Sequence, residues 1–100
     1  MTVRHIVSWK MNGETAEDRA RQAQEVADAL TPLRDLVPGI VALDVHLNEF
    51  NADANWDVVL VSDHVDQAAL DVYATHPDHV APAGRVKERA AARAGVDFEV

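Results

Sequence analysis

Tyr73-Ala74-Thr75-His76-Pro77-Asp78-His79-Val80 is the stretch around which the chain organises itself. Pro77 lacks an N–H and disfavours helical geometry in the residue before it. A helix capped by Asp66 and running through Ala69, Leu70, Val72 and Tyr73 must therefore stop at His76. The break gathers a phenol and two imidazoles within a single corner. A proline-held corner orients side chains at low entropic cost, which suits a proton donor beside an acceptor. The same pattern also describes a plain helix-terminating turn whose histidines sit in water, because most turn histidines do no chemistry.

Working outward, Trp56-Asp57-Val58-Val59-Leu60-Val61 is nearly continuous apolar, the pattern of a strand covered on both faces. A polar loop, Asn48 to Asn55, precedes it. Pro38-Gly39 opens a strand with Val41, Leu43, Val45 and Leu47 on one face and Ala42, Asp44, His46 and Asn48 on the other. Near the start, Val3 to Lys10 alternates, with Val3, His5, Val7 and Trp9 on one face and Arg4, Ile6, Ser8 and Lys10 on the other. Thr15, with Asp18 three residues later, starts a helix whose stripe is Ala16, Ala20, Ala23, Ala27 and Leu30. Thr31-Pro32 interrupts it, with Pro32 at the first position of a short extra turn. Beyond the Pro77 corner a second helical stretch runs to about Ala92, weakened early by Pro82 and Gly84. Gly95 to Val100 alternates as a last strand.

The order is β-α-β-β-α-β, an α+β, ferredoxin-like arrangement in one domain spanning 1–100, with a four-stranded antiparallel sheet. One helical layer covers one sheet face. The other carries apolar residues such as Ile6, so a second copy of the chain is the natural cover and a homodimer is expected.

Composition narrows the partners. Seventeen acidic residues against nine basic ones give a formal charge of −8, which repels a phosphate polymer and argues against nucleic acid. The basic cluster Arg85, Lys87, Arg89 and Arg93 lacks interleaved aromatics and reads as a solvated helix face. No apolar run approaches the roughly 20 residues a membrane span requires. The first residues pass from one arginine straight into a strand, without a signal-peptide core, so a cytoplasmic location is expected. There is no cysteine, hence no disulfide and no thiolate metal site.

Five pieces in order, Arg4-His5-Ile6-Val7, Val37-Pro38-Gly39-Ile40, Asn55-Trp56-Asp57, the Tyr73–Val80 corner and Val96-Asp97-Phe98, resemble the stress-responsive A/B barrel (Dabb) domain. The resemblance covers nearly the whole chain. It implies a dimeric α+β barrel made of two ferredoxin-like sheets face to face. One branch of that family resembles polyketide cyclases, which run an intramolecular aldol condensation without a cofactor. The resemblance assigns the base to His79, substrate binding or polarisation to Tyr73 and a pocket-lining role to His5. It also implies a cation on the backbone carbonyls of Arg34, Val37 and Ile40. The small residues Ala81-Pro82-Ala83-Gly84 replace the bulky apolar residues usual after the corner, which implies either a wider and more mobile pocket mouth or a helix that starts later.

The candidate site is thus His79 and Tyr73 as catalytic groups, with His5 and Trp9 beside them as ligand contacts. A histidine titrating near pH ~6.5 can take a proton from carbon next to a carbonyl, and a tyrosine hydroxyl can donate to the enolate oxygen. The expected ligand is small, apolar or phenolic, and no cofactor is called for. His76 is expected at a helix C-terminus, while His46 and His64 are expected on the surface. Spacing of three between His76 and His79 is broken by Pro77, and no third ligand follows, so no side-chain metal site is expected. Two rivals stand beside this reading. One is a structural stress-response protein without catalysis. The other is a cofactor-free or haem-type monooxygenase, supported by fold analogy alone.

Overall fold

A computed structural model describes all 100 residues. The first strand, β1 (Val3–Met11), leads through Gly13 into α1 (Ala16–Leu30), followed by the single turn α2 (Leu33–Leu36). Two strands follow, β2 (Ile40–Leu47) and β3 (Val58–His64), then the helices α3 (Gln67–Thr75) and α4 (Pro77–Arg89), and last β4 (Ala90–Glu99). The sheet order is β2-β3-β1-β4, antiparallel throughout. This is the expected ferredoxin-like α+β arrangement.

The expected caps are present. The Thr15 hydroxyl accepts from the Asp18 N–H at 3.0 Å, and the Asp66 carboxylate accepts from the Ala69 N–H at 2.8 Å. Each satisfies an orphan donor at a helix start. The buried stripe of α1 is Ala23, Val26, Ala27 and Leu30, whereas Ala16 and Ala20 are exposed. Pro32 sits one position before α2 rather than in its first turn.

Three boundaries differ from the sequence pattern. Strand β3 starts at Val58 and continues to His64, alternating buried and half-buried residues. Its apolar run is therefore covered fully on one face only. Helix α4 starts at Pro77 and ends at Arg89, with Pro82 buried inside it, so the later-helix alternative is excluded. Ala90 to Ala94, good helix formers, belong to β4 instead. Asn12 explains the stop: its N–H and side-chain amide donate to the carbonyls of Arg89 and Glu88 at 2.8 and 2.9 Å, occupying orphan acceptors at the helix end. From there β4 pairs with β1 from Met11 to Val3. That ladder overrides a helix preference worth at most about 0.7 kcal/mol per residue.

One face of the sheet meets all the helices. Val7, Trp9 and Met11 of β1, Leu43 of β2 and Val58 and Leu60 of β3 pack there with Leu30, Leu33, Tyr73 and Val86. The other face stays open, with Val96 and Phe98 exposed. Across it the Arg4 guanidinium donates to both oxygens of its register partner Asp63 at 2.8 and 3.1 Å. No helix is long and apolar enough to cross a membrane.

Gly39 joins the α2 turn to β2 at φ +86°, a region that favours glycine. A Cβ there would lie 2.8 Å from the Ala69 Cβ, at the start of α3. Gly39→Ala is expected to combine backbone strain with a clash and to destabilise by more than about 1 kcal/mol in urea denaturation. An unchanged midpoint would contradict the close approach of this turn to α3.

Candidate functional site

Six elements converge on one cavity between the covered sheet face and the helices, with a volume of about 680 Å³. From β1 come His5 and Trp9, from α3 Tyr73, from α4 His79 and Ala83, and from β4 Arg93 and Asp97. The strand contributions follow from alternation. His5 and Trp9 share the inward face of β1, and the register sets Asp97 opposite His5 and Arg93 opposite Trp9. Of Ala81-Pro82-Ala83-Gly84, Ala83 stands in the cavity wall.

Tyr73 and His79 face each other across the Pro77 corner, ring centres 4.3 Å apart and tilted by 41°. His5 meets the Tyr73 ring edge-on at 6.1 Å. The corner works because His76 ends α3 and also starts α4. Its Nδ1 accepts from the Asp78 N–H at 3.1 Å, and Pro77 occupies the first helical position, where a missing N–H costs nothing. His76 is therefore an N-cap with its ring turned to the backbone, in addition to the helix-ending residue expected.

His79 is oriented by the backbone. Its Nδ1 lies 3.2 Å from the Ala74 carbonyl oxygen. A carbonyl only accepts, so Nδ1 carries the proton and Nε2 keeps its lone pair. Burial pushes the His79 pKa below the ordinary value, the Ala74 carbonyl opposes this, and the charges of His5, Arg93 and His76 lower it further. The ring is thus a neutral base at neutral pH. Tyr73 is almost fully buried, and burial pushes its hydroxyl up to about 12, with Arg93 pulling weakly the other way. It remains a protonated donor. His5 pairs through Nδ1 with Asp97.

His64 corrects the sequence reading most sharply. It is fully buried, not on the surface. Its ring lies 5.1 Å from Tyr73 and 6.4 Å from His5, and its Nε2 is 2.9 Å from the Ser62 hydroxyl. Its Nδ1 has no partner. Burial lowers its pKa, as does the His5 charge, against the raising influence of Asp63 and Asp97. The signal was present: Val58, Leu60, Ser62 and His64 alternate on one face once β3 is carried to its full length. His46 is exposed. Asp97 and Arg93 were also missed as site groups, because their place depends on the pairing of β4.

Arg34, Val37 and Ile40 fall at the α2–β2 corner, Arg34 within α2, Val37 as its C-cap and Ile40 opening β2. No group of three histidine or carboxylate side chains is arranged to hold a metal ion.

The family model described as Stress Responsive A/B Barrel Domain matches residues 3–100. A search of curated proteins found no match. Among solved structures, a dimeric protein of unknown function with a ferredoxin-like fold from Bacteroides fragilis is 30% identical. Its TM-score is 0.87, with 99% of this chain and 96% of that chain covered. A dimeric ferredoxin-like protein of unknown function from Thermobifida fusca is 27% identical, with a TM-score of 0.84 and coverage of 100% and 92%. Hydroxynitrile lyase from Passiflora edulis is 13% identical, with a TM-score of 0.80 and coverage of 99% and 93%. That last likeness is one of fold alone.

The two depressed histidines generate a pH prediction. His64 and His79 bind protons less readily in the folded chain than in the unfolded one. Their contribution to stability is therefore present above the unfolded value of about 6.5 and is lost as pH falls below it. The melting temperature should drop between pH 7.5 and 5.5, and His64→Gln should shrink that drop. Equal drops in the two proteins would mean that His64 is not held neutral by its surroundings.

Proposed function

The chain belongs to the stress responsive A/B barrel domain family, and we propose that it is a homodimer holding a small organic ligand beside His79 and Tyr73 for acid-base chemistry. The observation that carries this reading is the pairing of a backbone-oriented imidazole with a buried, protonated phenol in the wall of one cavity. The proposed ligand class is apolar or phenolic with a carbonyl group, because most of the lining is hydrophobic.

In the proposed reaction, Nε2 of His79 takes a proton from the carbon next to the ligand carbonyl. The C–H electron pair moves into the C–C bond, and the carbonyl π pair moves onto oxygen. The Tyr73 hydroxyl donates a hydrogen bond to that oxygen, stabilising charge where it develops. If a second carbonyl lies within reach on the same ligand, the enolate carbon attacks it, forming a C–C bond. The new alkoxide then takes the proton back from His79. This is an aldol ring closure, the polyketide-cyclase-like chemistry. The protein needs only a base, a donor and a dry wall.

The dimer is proposed from the open sheet face. Val96 and Phe98 are exposed there, Ile6, Val59 and Val61 lie half-buried beside them, and the similar proteins from Bacteroides fragilis and Thermobifida fusca are described as dimeric. The chain should elute at twice its mass at micromolar concentration, with a melting temperature that rises with concentration. Val96→Asp should yield monomer. A wild-type monomer whose melting temperature ignores concentration would refute the dimer.

The chemistry is tested by NMR-monitored exchange of the carbon-bound protons of 4-hydroxyphenylacetone in deuterated buffer. The wild-type protein should accelerate exchange. His79→Ala should remove most of the acceleration, where general-base loss is worth about 10²–10⁴ in rate, with the melting temperature nearly unchanged. Tyr73→Phe should cost less. A purely structural His79 predicts the reverse: a loss of about 1–3 kcal/mol of stability from the unpaired partner, and exchange no slower than in the wild type.

A further inference from the structure

An arginine in the cavity wall has no partner. The ion pairs of the chain join Arg4 to Asp63, His5 to Asp97, Arg21 to Asp18 and Glu25, His76 to Asp78, and Arg89 to Glu25. Arginine side chains that donate hydrogen bonds are those of Arg4, Arg19, Arg21 and Arg89. Arg93 belongs to neither set, yet it lines the cavity.

Its side chain is not simply extended into water. Nη1, Nη2 and Cζ of Arg93 lie 3.2, 3.4 and 3.6 Å from the point where a Cβ on Gly95 would sit. Three guanidinium atoms at such similar distances mean that the group lies across the glycine. Gly95 is not in the positive-φ region, so the backbone does not require glycine there. The missing side chain instead leaves room for the guanidinium. The nearest carboxylate on the same face of β4, Asp97, is engaged by His5, and the Arg93 charge acts on both Tyr73 and His79. Of the remaining charged lining groups, Lys87 adds a second unpaired cation and Asp71 a single opposing carboxylate.

We propose that Arg93, seated on Gly95, anchors an anionic group of the ligand, and that the cavity takes an amphipathic carboxylic acid. Its apolar body lies against Trp9, Leu60 and Val86, and its carboxylate meets the guanidinium beside Tyr73 and His79. The planar fork of arginine matches a carboxylate with two parallel, charge-assisted hydrogen bonds. This inference rests on the cavity being a ligand site.

Acid and neutral isostere are compared by calorimetry, with naphthalene-2-carboxylate and decanoate as acids and the corresponding amides as neutral probes. The wild-type protein should prefer each acid over its amide by at least about tenfold. Arg93→Gln should bring that ratio close to one, and Arg93→Lys should restore part of it. Gly95→Ala, which displaces the guanidinium without removing it, should also lower the ratio. Amides that bind as well as acids in the wild type, or a ratio that survives Arg93→Gln, would overturn the Arg93 assignment while leaving the cavity a ligand site. Binding of neither acid nor amide would remove the ligand site itself, and this assignment with it.

Discussion

Strand β1 is hydrogen-bonded along both edges, and the rest of the molecule depends on that double pairing. Because side chains alternate strictly along a strand, its register decides which groups meet on the helix-facing side. Pairing with β3 carries Ser62 and His64 inward beside His5. Pairing with β4 sets Asp97 against His5 and Arg93 against Trp9. A slip of one residue on either side would turn these groups to the open face and leave the cavity wall only the polar groups of the helices. The polar site is therefore a consequence of strand register, and the same register supplies the apolar outer face that a second copy can cover.

The second constraint is the cost of burying titratable rings. Tyr73, His64 and His79 lie in or against the core, where charge is disfavoured, so each is held in its neutral form. For the phenol this preserves a donor, and for the imidazole it preserves a lone pair. The two effects arise from one environment but act in opposite directions on pKa, which separates donor from acceptor at a single pH. The Ala74 carbonyl fixes which nitrogen of His79 remains free. The Pro77 corner keeps that ring in place, since α4 begins without spending an N–H at its first position.

Much of this architecture was legible in local sequence. Asp66 and Thr15 announce helix starts because a short polar side chain can satisfy a free N–H three residues on, wherever the helix later packs. Pro77 announces a break because its ring acts on its own neighbours. Val3 to Trp9 announces a strand and its inward face because alternation belongs to the strand itself. Those signals are short-ranged, so order, fold class and the pairing of Tyr73 with His79 could be read without coordinates.

What lay beyond reach depended on distant partners. Ala90 to Ala94 prefer helix locally and become strand only because Asn12 closes α4 and the free edge of β1 waits beyond it. His64 shares the inward face of β3 by alternation, but only pairing that extends as far as Val3 makes it strand and carries it into the core. Asp97 and Arg93 become site groups only when β4 is placed in register, and Gly95 matters only because a guanidinium lies across it. Local chemistry determined the elements and the corner. Tertiary pairing decided which charges share the cavity, because a hydrogen-bonded ladder outweighs the weak conformational preference of any one residue.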